Sequence, residues 1–264
     1  MKNQNKIKIA ITGSSGVLGK FFINKYKKKF LFYKFKGDLT KKYDLKKWLK
    51  NIEPEIFLHF AAIVPLKVVE NKIEYSKKVN VDSISNIIEI LKQKTKIKWF
   101  FFSSTSHVYK KSNKKINESS KLLPTSKYGS QKLKAEYKLL NDQKNYDFRV
   151  CIGRIFSYTS PDQDKSFLIP SLSKKIALNK KKYFKLINSR RDFIHIDDIC
   201  DAIYILLINK YTGIYNIGSG KSYSIRFIAN FLKKKLKKNF KLIITKNNKN
   251  DCLLSDNYKL KRKI

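Results

Sequence analysis

Apolar positions fall in short blocks whose spacing alternates between two periods. Residues 6–12 (KIKIAIT) are an apolar run ending in a glycine-rich turn, and residues 18–29 fit a helix. Strand, helix and strand signals follow at 30–35, 45–51 and 56–61, with Pro54 just ahead of the third. Across 75–92, Val79, Ile84, Ile87, Ile88 and Leu91 recur at helical spacing. A strand at 98–102, a helix at 126–140 and a strand at 148–152 complete the series. This alternation predicts an α/β fold, a Rossmann doubly wound parallel sheet with helices on both faces. Beyond Arg154 the rhythm loosens into helices at 169–178, 197–208 and 225–236 and short strands at 214–217 and 241–245. The Lys-rich stretch 233–250 reads as a solvated helix end, a strand and a loop. The division expected is a Rossmann domain over 1–156, with 192–220 returning to it, and 157–264 forming mainly a small carboxyl-terminal lobe.

The first turn carries chemistry. Thr12-Gly13-Ser14-Ser15-Gly16-Val17-Leu18-Gly19 follows a strand and opens a helix. Glycine permits a positive φ and lets the backbone approach a pyrophosphate at the positive end of the helix dipole. The spacing G-x-x-G-x-x-G is one residue longer in its first gap than the common dinucleotide fingerprint. Gly13, Ser15, Gly16, Val17, Leu18 and Gly19 are therefore the expected dinucleotide cradle.

Tyr128 and Lys132 stand four apart in a predicted helix and share a face. An ammonium near a phenol favours the phenolate and lowers its pKa from about 10, and a cationic nicotinamide lowers it further. Such a Tyr exchanges a proton with a hydroxyl while hydride moves at carbon. Y-x-x-x-K is common by chance in a chain this rich in Tyr and Lys. The strand ending in Ser103-Ser104-Thr105-Ser106-His107-Val108-Tyr109 adds hydroxyls at the carboxyl edge of a sheet, where α/β folds place ligands.

Taken together these segments resemble the extended short-chain dehydrogenase/reductases of the NAD-dependent epimerase/dehydratase family, which act on nucleotide sugars. The family's TGxxGxxG corresponds to 12–19 and its G-D-L stretch to Gly37-Asp38-Leu39. Its H-x-A-A corresponds to His59-Phe60-Ala61-Ala62, and a helix-start Asn to Asn80. Y-G-x-S-K-x-x-x-E corresponds to Tyr128, Gly129, Lys132 and Glu136, with Gln131 in the usual Ser place. R-D-F-I-H-V-D-D corresponds to 191–198 and Y-N-I-G-x-G to 215–220. The resemblance implies NAD or NADP as cofactor, a nucleotide-sugar substrate and a homodimer formed through the helices at 75–92 and 126–140. It implies that Asp38, Leu39, Phe60, Ala61 and Ala62 contact the cofactor, and that Thr105, Tyr128 and Lys132 are catalytic. Lys132 would also bind the nicotinamide ribose. Arg191 would meet the substrate diphosphate, as suits a guanidinium. Arg154 is expected to stabilise the domain junction, and His195 and Asp197 to be structural.

Several positions depart from the pattern. Sugar 4,6-dehydratases carry Asp-Glu just after the catalytic Thr, where this chain has Ser106 and His107. Dehydration is thereby disfavoured, and His107 becomes a candidate proton-transfer residue at the substrate. Ser157 replaces the Asn of R-x-x-N-x-Y-G-P as the expected substrate contact. The acid expected at the end of the second strand is missing, and Lys34 and Lys36 lie there instead, which tilts the expectation towards NADP. The segment from Gly19 to Asp38 is short, as in sugar-nucleotide 4-keto reductases, and the family's last residues beyond the D-x-x-x-S-D stretch at 251–256 are absent. The expected activity is thus an epimerase or a 4-keto reductase. A catalytically inactive dinucleotide-binding regulator is the alternative.

Charge alters this picture little. The chain has 264 residues, 59 Lys and Arg against 20 Asp and Glu, and a formal net charge of +39. Such charge suggests nucleic acid, but 53 of the basic residues are Lys and only 6 are Arg, the residue that phosphate and base recognition favours. Lys, Asn, Ile, Tyr and Phe abound while Ala is scarce, the mark of A/T-rich coding. A basic RNA-binding protein on a Rossmann scaffold is therefore the weakest alternative. The Cys at 151, 200 and 252 form no C-x-x-C, and 151 and 200 are expected as small buried hydrophobes. No metal site, bilayer-spanning run or signal peptide is expected, and the expected compartment is the cytoplasm.

Overall fold

The computed structural model describes residues 6–64, 66–93, 96–141, 143–187, 189–245 and 252–264. In chain order the first half comprises β1 (Lys8–Thr12), α1 (Val17–Tyr26), β2 (Leu31–Lys34), α2 (Lys42–Lys50), β3 (Ile56–His59), α3 (Leu66–Asn71) and α4 (Ile73–Lys77). A π-helical turn, Lys78–Asp82, leads into α5 (Ser83–Lys92), followed by β4 (Trp99–Thr105), α6 (Lys127–Asn141) and β5 (Arg149–Ile155). The second half adds β6 (Ser157–Thr159), α7 (Leu168–Ala177), β7 (Tyr183–Ile187), β8 (Arg190–His195) and α8 (Ile196–Ile208). It ends with β9 (Gly213–Ile217), β10 (Ser222–Ser224), α9 (Ile225–Lys235), β11 (Lys241–Thr245) and α10 (Tyr258–Lys261).

The main sheet is parallel, in the order β2-β1-β3-β4-β5-β9. Because side chains alternate across a strand, Trp99 and Phe101 of β4 enter one core with Phe22, Ile199 and Ile203. Phe100 and Phe102 enter the other, with Phe57, Ile87 and Leu139. Both faces are covered, so β4 reads as a continuous apolar run. β1 lies between β2 and β3, and the chain crosses to opposite sides there. That switch point opens a crevice beyond the carboxyl ends of β1 and β3.

The second lobe is built from shorter pieces. β6 pairs parallel with β8, β10 pairs antiparallel with β8, and β11 pairs parallel with β7. α7 and α9 close over Leu172, Ile176, Ile228 and Leu232. The sequence pattern had not signalled β6, β7, β8, β10 or α3, and the loop expected at 246–250 lies outside the described residues. The tail sits apart from the second-lobe elements. Ser255 bridges to Ile116, Leu260 enters the core of the main sheet, and Lys259 Nζ donates to the Ile214 carbonyl at 2.7 Å. Residues 252–261 thus pack on the first body, because their apolar side chains meet β9 rather than α7 or α9. Cys151 and Cys200 are buried as expected. Among the described residues no helix is long and apolar enough to cross a membrane, and no Lys but Lys132 is buried.

Candidate active site

The turn after β1 is shaped by contact. Gly13 has φ +73°, and a Cβ there would lie 2.4 Å from the Ala61 backbone nitrogen. A Cβ on Gly19 would lie 2.3 Å from the Gly13 carbonyl oxygen. These two glycines let the turn press against the segment after β3. Gly16 differs: a Cβ there would meet nothing closer than the Gly13 oxygen at 3.4 Å. It precedes α1 in extended conformation, and no side chain caps the helix. The uncapped start of α1, with Gly16, Val17 and Leu18, lines an open cleft, an arrangement that accepts a phosphate.

A cleft of about 260 Å³ runs from this turn to the second lobe. Thr105, the last residue of β4, accepts a hydrogen bond on Oγ1 from the His107 N–H at 3.3 Å, which caps the short 3₁₀ turn Ser106–Val108. Tyr128, in the first turn of α6, is hydrogen-bonded to Thr105. The rings of His107 and Tyr128 lie 6.2 Å apart, edge to face. Burial pushes the Tyr128 phenol up and Tyr158 adds to this, while the Thr105 bond opposes it. This departs from the expectation that Lys132 lowers the phenol: burial raises it, and what opposes burial is the Thr105 hydrogen bond rather than Lys132. Lys132 Nζ instead lies 3.9 Å from the centre of the Phe102 ring, and burial brings its own pKa down to about 7 against the attraction of Glu136. His107 is held below its ordinary value, by burial first and then by Arg191 and Lys111.

A buried ion pair stands behind these groups. Arg154 Nη2 donates to Glu136 Oε2 at 2.6 Å and Nε donates to Oε1 at 3.1 Å. Arg154 Nη1 donates to Tyr109 Oη at 2.9 Å and to the Glu118 carbonyl at 3.1 Å, while Ser104 Oγ donates to Glu136 Oε1. Arg154 therefore ties β5 to α6 inside the first body rather than at the domain junction expected for it. The reason is that its buried acidic partner among the described residues, Glu136, lies on α6.

Of the expected site residues, Gly13, Gly16, Val17, Leu18, Gly19, Phe60, Ala62, Thr105, His107, Tyr128 and Ser157 line the cleft. Six others do not. Ser15 is exposed on the turn, and Ala61 offers its backbone to Gly13. The Asp38 carboxylate accepts from Thr40 N at 2.9 Å and Thr40 Oγ1 at 2.8 Å, closing a local turn, and Leu39 packs on the core. Lys132 lies buried behind the wall, and Arg191 sits on β8 with Nη1 donating to the Arg190 carbonyl at 3.0 Å. His195 is half-exposed and caps α8, its Nδ1 accepting from Asp197 N at 3.3 Å. Tyr158 and Gln163 line the cleft and had not been singled out; Tyr158 stands next to Ser157, while Gln163 reaches this wall through its Nε2 donating to the Tyr158 carbonyl at 3.2 Å. No Asp or Glu is among the described residues that line it.

Comparison with known proteins places this geometry. The sequence profile described as GDP-mannose 4,6 dehydratase matches residues 9–263. The GDP-mannose 4,6 dehydratase of Drosophila melanogaster is 26% identical over 198 residues, covering 72% of this chain and 50% of that protein. The dTDP-D-glucose 4,6-dehydratase of Bos taurus is 28% identical over 201 residues, covering 75% of this chain and 56% of the relative. The chain thus spans about half the length of the curated relatives it matches. Among solved structures, RMD from Pseudomonas aeruginosa, complexed with NADPH, superposes with a TM-score of 0.87 at 21% identity, covering 97% of this chain and 92% of that one. The UDP-glucose 4-epimerase of Thermus thermophilus, complexed with NAD, gives 0.84 at 18% identity over 97% and 92%. These likenesses establish the fold.

Proposed function

Because the chain belongs to the GDP-mannose 4,6 dehydratase family of extended short-chain dehydrogenase/reductases, we propose that it catalyses NAD(P)-dependent hydride transfer at C4 of a nucleotide-activated sugar, as a 4-keto reductase or 4-epimerase. The observation that carries this over dehydration is the cleft's lack of carboxylates among the described residues, with Ser106 and His107 following Thr105. Losing water across a sugar requires one group to take a carbon-bound proton and another to protonate the departing hydroxyl. Beside Tyr128, the titratable side chains of this cleft are His107 and Tyr158.

The close-packed Gly13 and the open Gly16 at the start of α1 fit a dinucleotide pyrophosphate, and Phe60 and Ala62 continue that wall. The bound nicotinamide supplies or accepts the hydride. Thr105 and Tyr128 hold the sugar oxygen. The Tyr128 phenol, kept protonated by burial, gives its proton to a carbonyl oxygen and recovers it in the reverse direction. His107, neutral at neutral pH, takes any second proton. Ser157, on the cleft wall, faces the sugar diphosphate. Lys34, the last residue of β2, and Lys36 just beyond it are exposed and suit a 2′-phosphate, which favours NADP. Tyr75 and Tyr137 remain exposed on α4 and α6, a face suited to a second copy of the chain.

The test is to incubate the protein with nucleotide sugars and their 4-keto forms, with NADH or NADPH, and to weigh the products. An isomer, or a product two hydrogens heavier with matching cofactor oxidation, is expected. A product lighter by one water overturns the reading. Tyr128→Phe should cut turnover by about 10²–10⁴-fold while leaving the fold intact.

A further inference from the structure

We propose that Gln131 is a positioning residue that couples the catalytic helix α6 to the loop 60–64 through Asn80; the link to cofactor binding rests on the dinucleotide reading above. The loop has no regular secondary structure, yet Phe60, Ala62 and Val64 form part of the cleft wall. A backbone segment in this position needs partners for its polar groups. Asn80 supplies them, as a neighbouring strand would. Its Oδ1 accepts from Ile63 N at 2.8 Å, and its Nδ2 donates to the Ile63 carbonyl at 3.0 Å. Asn80 lies at the centre of the π-helical turn Lys78–Asp82, and such local widening of a helix often marks a functional position.

The second amide hydrogen of Asn80 goes to Gln131 Oε1 at 2.8 Å. Gln131 Nε2 donates in turn to Ser76 Oγ at 2.9 Å, and Ser76 Oγ donates to the Ile73 carbonyl at 2.9 Å. Asn80 is 1% exposed, Ser76 0% and Gln131 6%, so water does not replace a bond lost here. The two ends of one side-chain amide thus bind Asn80 and Ser76 together. Gln131 is next to Lys132 and three residues from Tyr128, so the loop is registered against the helix that carries the chemistry. The family pattern has Ser at this place, and a single hydroxyl is too short to bridge both partners.

The experiment compares wild type with Gln131→Ala, the milder Gln131→Ser, Asn80→Ala and the Asn80→Ala/Gln131→Ala pair, all as the full chain. Hydrogen exchange of peptides covering 60–64 and dinucleotide titration with NADPH and NADH are the readouts. Gln131→Ala should speed exchange at 60–64 by about tenfold and raise the dinucleotide Kd by about five- to tenfold. Turnover at saturating cofactor should stay within about twofold, a KM-against-kcat split. Gln131→Ser should fall between, and Gln131→Ala should add nothing once Asn80 is gone. Unchanged exchange at 60–64 in both Gln131 variants overturns the proposal, as does faster exchange spread over the whole first body. If wild type binds neither dinucleotide, the functional reading fails while the exchange arm still decides the coupling.

Discussion

Thr105 and Tyr128 stand on one wall of the cleft, on β4 and α6, whereas Ser157 and Tyr158 on the facing wall belong to β6, a three-residue strand with no buried member. β4 is paired along its whole length with β5 and has β3 on its other side, and six of its seven residues are buried. Among the described residues, β6 pairs only with β8, in parallel. On the proposed function, the reacting groups thus stand where unfolding any part means unfolding the core, and the sugar contacts where local opening is cheap.

Glu136→Ala is the harshest way to break that contrast. It leaves the Arg154 guanidinium, 2% exposed, without its partner. A loss of about 3–5 kcal/mol is expected in denaturant unfolding, with much of it recovered in Glu136→Leu/Arg154→Met. A loss below about 1 kcal/mol would mean that the first wall owes little of its rigidity to this pair.

Lys132→Met sharpens the contrast from the opposite side, because the catalytic role that the family resemblance implies for Lys132 is set against the cost of burying its ammonium. The folded-state pKa of about 7 lies below the ordinary 10.5, so the folded protein gives up a proton that the unfolded chain keeps. The resulting penalty is fully present below pH 7 and fades as pH rises to 10.5. The variant should lose activity yet gain roughly 1–3 kcal/mol in acid-to-neutral solution, with the gain shrinking at alkaline pH. A gain that does not vary with pH would show that Lys132 is not held neutral by burial.

The two walls also differed in how far the sequence disclosed them. The first was legible because its features are local: 12–19 is one turn, and Tyr128 and Lys132 are one helical turn apart. β1 to β5 carry apolar runs since both sheet faces are covered. β6 and β10 were not legible because three half-buried residues carry no period, and their pairing with β8 spans distant segments. The Arg154–Glu136 pair and the Gln131–Asn80 contact were missed for the same reason, since each joins residues far apart in sequence. Tyr128 failed differently: its position was readable, but its protonation depends on burial, which spacing does not reveal.

The smallest expected effect lies on the second wall. Ser157 lines the cleft and is only half-buried, with no packing role comparable to that of Phe156 beside it. Ser157→Asn lengthens the side chain by an amide able to donate to a phosphate oxygen, with open volume in front of it. The KM for the nucleotide sugar should fall about three- to tenfold, one added hydrogen bond's worth. Turnover should remain within about twofold and stability within about 0.5 kcal/mol. The same substitution on the first wall, at Thr105, should instead remove turnover, because there the hydroxyl is hydrogen-bonded to Tyr128. If Ser157→Asn changed turnover as much as KM, the two walls would not be separable in the way their construction implies.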